Sequence, residues 1–390
     1  MPERILIEVK LEHIYQETLQ IEKDISLYNG ECGLSLFGVL YSKHFRKNHL
    51  SSEIINNLQY LLNKSFDGGF KTLCSGKTGI NWYFSYLNEI GYLGIEDKRE
   101  VCSDDLILSK IALFWIEIGN FDFLHGALGI AYYLLKSKSI LVNFFEKFFE
   151  HLFFLMKNKD NMIYHFDFNT FRPDKTRINL GLAHGITSIL KFSVECYKSN
   201  ICKERALDLM SKVTYFFLSS TNTFQDKSIF PSIIVLGTNI NQASRLAWCY
   251  GDLTIAFVLY QAGVEMKDQK IIDFSLAIFA KSRDRRNPKE NQVVDAGICH
   301  GTSGIAHIYN KMWKLTGHQK FKDECEFWID ETLNYGTYQD TISGFKKYDP
   351  VQEKYVASKG LLEGSAGIGL VLISFLTGDC SWDSCMMLDS

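Results

Sequence analysis

Two cysteines and a histidine carry the strongest chemical signal in this chain. Cys299 and His300 are adjacent within DAGICHGTSGIAHIY (295–309), and Cys249 stands 50 residues earlier, in CYGDLTIAFVL (249–259). Two thiolates and one imidazole form the ligand set of a catalytic zinc that keeps its fourth position open. Spacing alone does not assemble them, because a Cys-His pair and a distant cysteine occur by chance in many chains. Cysteines also pack as small hydrophobes. Only an element that places both cysteines in one register would bring them together.

An internal repeat supplies that register. Glycine-centred motifs, each followed by an apolar helical run, recur as YNGECGLSLF (28–37), CSGKTGINWYF (74–84), LHGALGIAYYL (124–134) and AHGITSILKF (183–192). The series continues with CYGDLTIAFVL (249–259), CHGTSGIAHIY (299–309) and LEGSAGIGLVL (362–372). The first glycines, at 30, 76, 126, 185, 251, 301 and 364, are separated by 46, 50, 59, 66, 50 and 63 residues. Each interval has room for two helices, one starting at the glycine and one returning outside it. No polar capping hairpin is legible at either end, which favours a closed ring over an open solenoid, with the seventh repeat packed on the first. Five prolines and helical stretches such as ICKERALDLMSKVTYFFLSS (201–220) agree. The expected fold is all-α, an α/α toroid (double helical barrel) of seven helical-hairpin repeats in a single domain, 1–390. The hydrophilic stretch 338–360 reads as a loop elaborated into a hairpin at the mouth of the ring.

Aligned on the glycines, the residues immediately before them are Asn29, Ser75, His125, His184, Tyr250, His300 and Glu363, and every one is polar. One position earlier stand Tyr28, Cys74, Leu124, Ala183, Cys249, Cys299 and Leu362. In a ring, equivalent positions converge at one end of the axis, so Cys249 and Cys299 face a shared cavity beside His300. That register favours a metal over packing. Cys74 shares it but belongs to the second repeat, and is read as structural. Cys32, Cys102, Cys196, Cys202, Cys325, Cys380 and Cys385 lie outside it and read as packing or surface residues. His125 reads as a cavity-lining histidine.

Composition narrows the partners. A net charge of −3 gives no global reason to expect nucleic acid or an anionic membrane. The basic run KSRDRRNPK (281–289) reads as a solvated loop. The first residues lack an apolar signal-peptide core. The most apolar segment, 140–156, is interrupted by Glu146, Lys147, Glu150 and His151, which argues for an amphipathic packed helix and against a membrane span. Ten cysteines without a secretory signal point to a reducing compartment, the cytoplasm.

RLAWCYGD (245–252), GICHGTSG (297–304) and NLGLAHGI (179–186) resemble the signature motifs of the lanthionine synthetase C family, the lanthipeptide cyclases. The resemblance covers nearly the whole chain. It implies an α-helical toroid with a single zinc (Zn2+) held by Cys249, Cys299 and His300. It also implies a reaction, the addition of precursor-peptide cysteine thiols to dehydroalanine or dehydrobutyrine to form thioether rings. By motif match, Asp122 in FDFLHGALG (121–129), His184, Arg245 and Tyr250 correspond to the remaining active-site residues. Ser188 and Thr254 depart from the pattern by replacing the second motif glycine. The implied partner is a dehydrated precursor peptide, leader plus core. The repeats leave no room for a dehydratase domain, so a separate dehydratase is expected. An export transporter is expected as well, in a complex that would hold the protein at the membrane periphery. Glutathione-adding relatives of these cyclases share every zinc residue. A prenyltransferase-like barrel would need a carboxylate ligand, and a non-catalytic scaffold would need no polar row.

The chemistry such residues would serve is demanding. A free thiol has a pKa near 8.5, so little of it is thiolate at neutral pH, and zinc removes the proton. Attack at Cβ pushes charge onto the peptide carbonyl, where Arg245 and Tyr250 would act as donors. The resulting enolate needs a proton at Cα, and a histidine such as His184 is the natural donor. Asp122 would orient or charge-balance His184, or else cap a helix.

Overall fold

A computed structural model describes residues 3–64, 69–93, 104–137, 141–157, 163–167, 169–222, 227–238 and 243–390. Cys102 lies outside these residues. The helices are α1 (Arg4–Thr18), α2 (Glu31–Phe45), α3 (Ser52–Asn63), α4 (Lys77–Glu89), α5 (Asp105–Glu117), α6 (Ala127–Lys136) and α7 (Val142–Lys157). They continue as α8 (Ile186–Lys198), α9 (Lys203–Ser219), α10 (Asp252–Met266), α11 (Gln269–Ser282), α12 (Thr302–Thr316), α13 (Gln319–Tyr335) and α14 (Ser365–Thr377). Every even-numbered helix begins on the residue after a motif glycine. The seven expected inner helices therefore all form, and the odd-numbered helices are their outer partners.

The inner helices are apolar almost all round. In α14, SAGIGLVLISFLT, every residue from Ser365 to Ser374 is buried. The outer helices show one apolar stripe each, as amphipathic surface helices do. The 140–156 segment is one of them, α7. Its Phe145, Phe148 and Phe149 surround Phe192 of α8 at ring-centroid distances of 6.5, 5.4 and 5.7 Å. Among the described residues no helix is long and apolar enough to cross a membrane.

Contacts gather the chain into two compact units. The first comprises residues 1–70, 74–86 and 287–390. Within it α14 packs between α12 and α2, α1 packs on α14 and α2, α3 lies on α2, and α13 on α12. The seventh repeat thus meets the first directly. The N–H groups of Leu361 and Leu362 both donate to the Tyr28 carbonyl, at 2.8 and 3.1 Å. The second unit comprises residues 71–73 and 87–286. In it α8 packs between α6 and α10, with α5, α9 and α11 on their outer sides and α7 against α5.

Among the described residues three short antiparallel pairs decorate the helices. β1 (His165–Asp167) pairs with β2 (Arg172–Asp174), and β3 (Arg177–Asn179) pairs with β4 (Ile233–Val235). β5 (Lys347–Asp349) pairs with β6 (Lys354–Val356) and forms the hairpin expected within 338–360. The basic run 281–289 departs from its expectation. Arg285 is buried rather than solvated, with its guanidinium 3.2 Å from Asp252 Oδ2 and 2.5 Å from the Ser244 carbonyl. A buried carboxylate at the start of α10 needed a cation, and this loop supplies it.

The second motif glycine is explained by close approach. A methyl on Gly367 would collide with the Leu361 carbonyl and reach Ile298 Cδ1 at 2.9 Å. Repeats four and five tolerate a side chain there, and Ser188 and Thr254 turn their hydroxyls onto the carbonyls of Gly185 (2.6 Å) and Gly251 (3.5 Å). Gly367→Ala should therefore cost about 2 kcal/mol or more, in the range of overpacked cores, whereas Ser188→Ala should cost less than about 1 kcal/mol. Urea midpoints of the two variants check this, and equal midpoints would contradict the packing account.

Candidate active site and metal centre

The loops ahead of the inner helices share one frame. Six residues before the motif glycine, Asp24, Asn120, Asn179 and Asp295 each accept through Oδ1 an N–H two residues on. The donors are Ser26 (2.8 Å), Asp122 (3.4 Å), Gly181 (2.9 Å) and Gly297 (3.0 Å). This is the Asx turn, a local substitute for a backbone turn. The main-chain carbonyl at that position takes the first helical N–H, as in Glu31 to Asp24 (2.7 Å) and Thr302 to Asp295 (3.1 Å).

Two residues before the glycine, the main chain bonds to the equivalent loop of the next repeat. Tyr28 N donates to Cys74 O (3.4 Å), and Ala183 N to Cys249 O (3.4 Å). Likewise Cys299 N donates to Leu362 O (3.0 Å), and Leu362 N to Tyr28 O. Four residues before it, glycines let neighbouring loops nest. A Cβ on Gly181 would fall 2.5 Å from Cys249 O and 2.7 Å from Tyr250 Cδ1, and one on Gly297 would fall 3.0 Å from Glu363 Cα.

In the third repeat that fourth position is Asp122, and its side chain fills the place a glycine leaves open. Its Oδ2 lies 2.6 Å from His184 Nδ1, and its Oδ1 accepts the His125 N–H at 2.7 Å. The loop hydrogen bond and the histidine contact use different oxygens, so one buried carboxylate serves both. Burial alone would depress the His184 pKa, but the charge and hydrogen bond of Asp122 outweigh it and raise the value. His125 stacks on His184 at 5.9 Å and 14°, and burial lowers its pKa. Tyr250 sits on the other side of His184, with centroids 6.3 Å apart, and its hydroxyl accepts a 3.1 Å hydrogen bond from Asn179 Nδ2. Arg245 is half-buried, and its guanidinium has no hydrogen-bond or ion-pair partner among the described residues.

The loop carrying Cys249 and Tyr250 is fixed where it enters α10. Gly251 adopts φ +102°, a conformation closed to most side chains. Behind it the buried Asp252 carboxylate accepts the N–H groups of Ile229 (3.0 Å) and Phe230 (2.9 Å) as well as Arg285. These contacts tie two segments of the second unit to the start of α10.

In the first unit, Cys299 and His300 precede α12. Asp295 Oδ2 lies 4.0 Å and Glu363 Oε1 3.8 Å from His300 Nε2. Asp295 Oδ2 is itself held by the Tyr348 N–H of β5 (3.0 Å), and Glu363 pairs with Lys347 of the same strand (2.8 Å). Neither Cys249 nor Cys299 is in a disulfide. Cys74 is buried, as is Cys249. Another group of metal-type side chains, His307, Cys380 and Asp383, is occupied by cations of the chain itself. Lys311 Nζ lies 3.0 Å from the same Asp383 oxygen that meets His307 (3.0 Å), and Lys314 Nζ lies 3.2 Å from Cys380 Sγ. Two ammonium groups there make it an ion-pair network.

A family model described as lanthionine synthetase C-like protein matches residues 22–387. The chain belongs to that family. Among its relatives is the nisin biosynthesis protein NisC of Lactococcus lactis subsp. lactis, 23% identical over 355 residues that span 83% of this chain and 78% of that one. Among solved structures, nisin cyclase superposes with a TM-score of 0.75 at 19% identity, over 98% of this chain and 96% of the other. That likeness shows the fold and agrees with the class expected from seven motifs, all-α and of the α/α-toroid type. Within this family member, Asn179 and Asp295 escaped the sequence reading. The signal for both was present, an Asn or Asp six residues before the glycine in four of the seven repeats.

The Asp122–His184 pair has a pH signature. Because the pair raises the His184 pKa, its stabilisation is complete below the ordinary histidine value of about 6.5. It is lost as pH rises through the higher folded value. Asp122→Asn should lower the His184 titration midpoint followed by ring-proton NMR. Its stability deficit against wild type should be largest below about pH 6.5 and narrow at higher pH. An unmoved midpoint would dissociate the two residues.

Proposed function

We propose that this protein is a zinc-dependent lanthipeptide cyclase, joining cysteine thiols of a dehydrated precursor peptide to its dehydroalanine and dehydrobutyrine residues. The observation that carries the reading is the Asp122–His184 contact at 2.6 Å beside Tyr250, in a member of the lanthionine synthetase C-like family. Cys249, Cys299 and His300 are the proposed zinc ligands. Their donor set fits the metal, since both thiols are outside disulfides and two carboxylates flank His300 Nε2. Carboxylates beside a ligating imidazole fix its orientation and strengthen it as a ligand.

A bound zinc would hold the substrate cysteine as a thiolate at neutral pH. The remaining work belongs to the chain. As the S–Cβ bond forms, the Cα=Cβ π bond breaks and its electron pair moves onto the peptide carbonyl oxygen. Arg245 and Tyr250 are the donors for that developing charge. His184, held through Nδ1 by Asp122, would deliver a proton from Nε2 to Cα and complete the thioether. The charge of Asp122 and its hydrogen bond favour the protonated form of the His184 imidazole. This reading carries with it a separate dehydratase upstream, an export transporter downstream and a cytoplasmic location at the membrane periphery.

Metal analysis and initial rates on dehydrated precursor peptide, against a no-enzyme control, test the proposal. Wild type should hold about one zinc per chain. Cys299→Ala should lose tight metal binding and cyclisation together, whereas His184→Ala should keep its zinc while its rate falls on the order of 10²–10⁴-fold. Full zinc occupancy in Cys299→Ala would refute the ligand set. Turnover with added glutathione, and none within the peptide, would move the protein to the glutathione-adding relatives.

A further inference from the structure

We propose that Asn179 is the positioning residue that aims the Tyr250 hydroxyl at the substrate carbonyl oxygen, an assignment that rests on the cyclase reading above. Asn179 ends β3, opposite Ile233 of β4, and is buried. Its two amide arms go to different repeats. The oxygen accepts the Gly181 N–H of its own loop at 2.9 Å, and the nitrogen donates to the Tyr250 oxygen of the next loop at 3.1 Å. The orientation of the amide is therefore fixed, because an NH2 group cannot accept the Gly181 N–H.

The direction of that bond decides what the phenol can do. A tyrosine hydroxyl has one proton and two acceptor lone pairs. Asn179 fills a lone pair, so the phenol proton lies on the side away from Asn179. The ring is steadied as well, since Gly181 lies against Tyr250 where any Cβ would come within 2.7 Å of Cδ1. The His184 ring stands 6.3 Å from the Tyr250 ring, at 41°. The group that would meet charge on the carbonyl oxygen and the group that would protonate Cα are thus held next to each other. An aspartate at 179 would keep the loop turn but reverse the bond to Tyr250. The phenol proton would then point at the carboxylate instead of the substrate.

Asn179→Asp tests this reversal. It retains the acceptor for the Gly181 N–H, so the fold, the zinc content and KM should change little. The kcat for cyclisation should fall on the order of 10²–10³-fold, in keeping with the loss of one preorganised donor. In a double-mutant cycle, Asn179→Asp should add nothing to Tyr250→Phe. A purely structural Asn179 would instead lower stability and act additively. A second measurement needs neither turnover nor a stable Asp variant. In protein labelled with 15N-asparagine, the Asn179 side-chain amide proton should move upfield on Tyr250→Phe. An unchanged kcat in Asn179→Asp, additive losses, or an unmoved amide resonance would each overturn the inference. Should wild type fail to cyclise peptide while the amide shifts as expected, the cyclase reading fails, and with it the substrate assigned to the phenol. A wild type that cyclises beside a fully active Asn179→Asp sinks this inference alone.

Discussion

One main-chain hydrogen bond, repeated from loop to loop, is what the rest of the arrangement depends on. It links the residue two positions before a motif glycine to its equivalent in the next repeat, as between Ala183 and Cys249, Cys299 and Leu362, Leu362 and Tyr28, and Tyr28 and Cys74. Main-chain groups buried between helices must find partners or lose on the order of 1–3 kcal/mol each. Here they find them laterally, and the lateral pairing sets the spacing of the inner helices. Close nesting of the loops follows, with glycines at 181, 297 and 360 removing the Cβ atoms that would hold neighbours apart.

In the third repeat the nesting position carries a charged side chain instead. Asp122 occupies a position that is glycine in repeats four, six and seven, and its carboxylate reaches the residue that a glycine would merely abut. A charge buried this way is tolerable because each oxygen has a donor, the His125 N–H on one side and His184 on the other. Asp252 follows the same logic with two backbone N–H groups and Arg285, but there the outcome is rigidity of the loop that presents Cys249 and Tyr250. Two buried carboxylates thus divide the labour, one tuning a histidine and one fixing a loop.

Much of this was legible in the chain itself. Seven glycine motifs gave the starts of all seven inner helices to the residue, because a glycine N-cap followed by an apolar run is a local signal. The polar row before the glycines pointed to His184 and Tyr250 for the same reason. Asn179 and Asp295 were not read, since their effect depends on which neighbouring loop each side chain reaches. The strands β1 to β4 were missed because three-residue pairings carry no periodic pattern of their own. Arg285 was misread as solvated because its partner, Asp252, lies 33 residues away and only folding brings it near.

The lateral hydrogen bonds also bear on how such a protein can change over generations. They engage only N–H and C=O groups, so the side chain at that position takes no part in holding the loops together. The seven occupants, Tyr28, Cys74, Leu124, Ala183, Cys249, Cys299 and Leu362, differ widely in size and polarity, and six of them are buried, so each is matched to its own packing rather than to the hydrogen bond. A thiol can arise or disappear there by a single substitution without removing the lateral hydrogen bond, and the cost is then one of packing. The pairing that spaces the loops and the side chains that the loops present can in that sense vary separately.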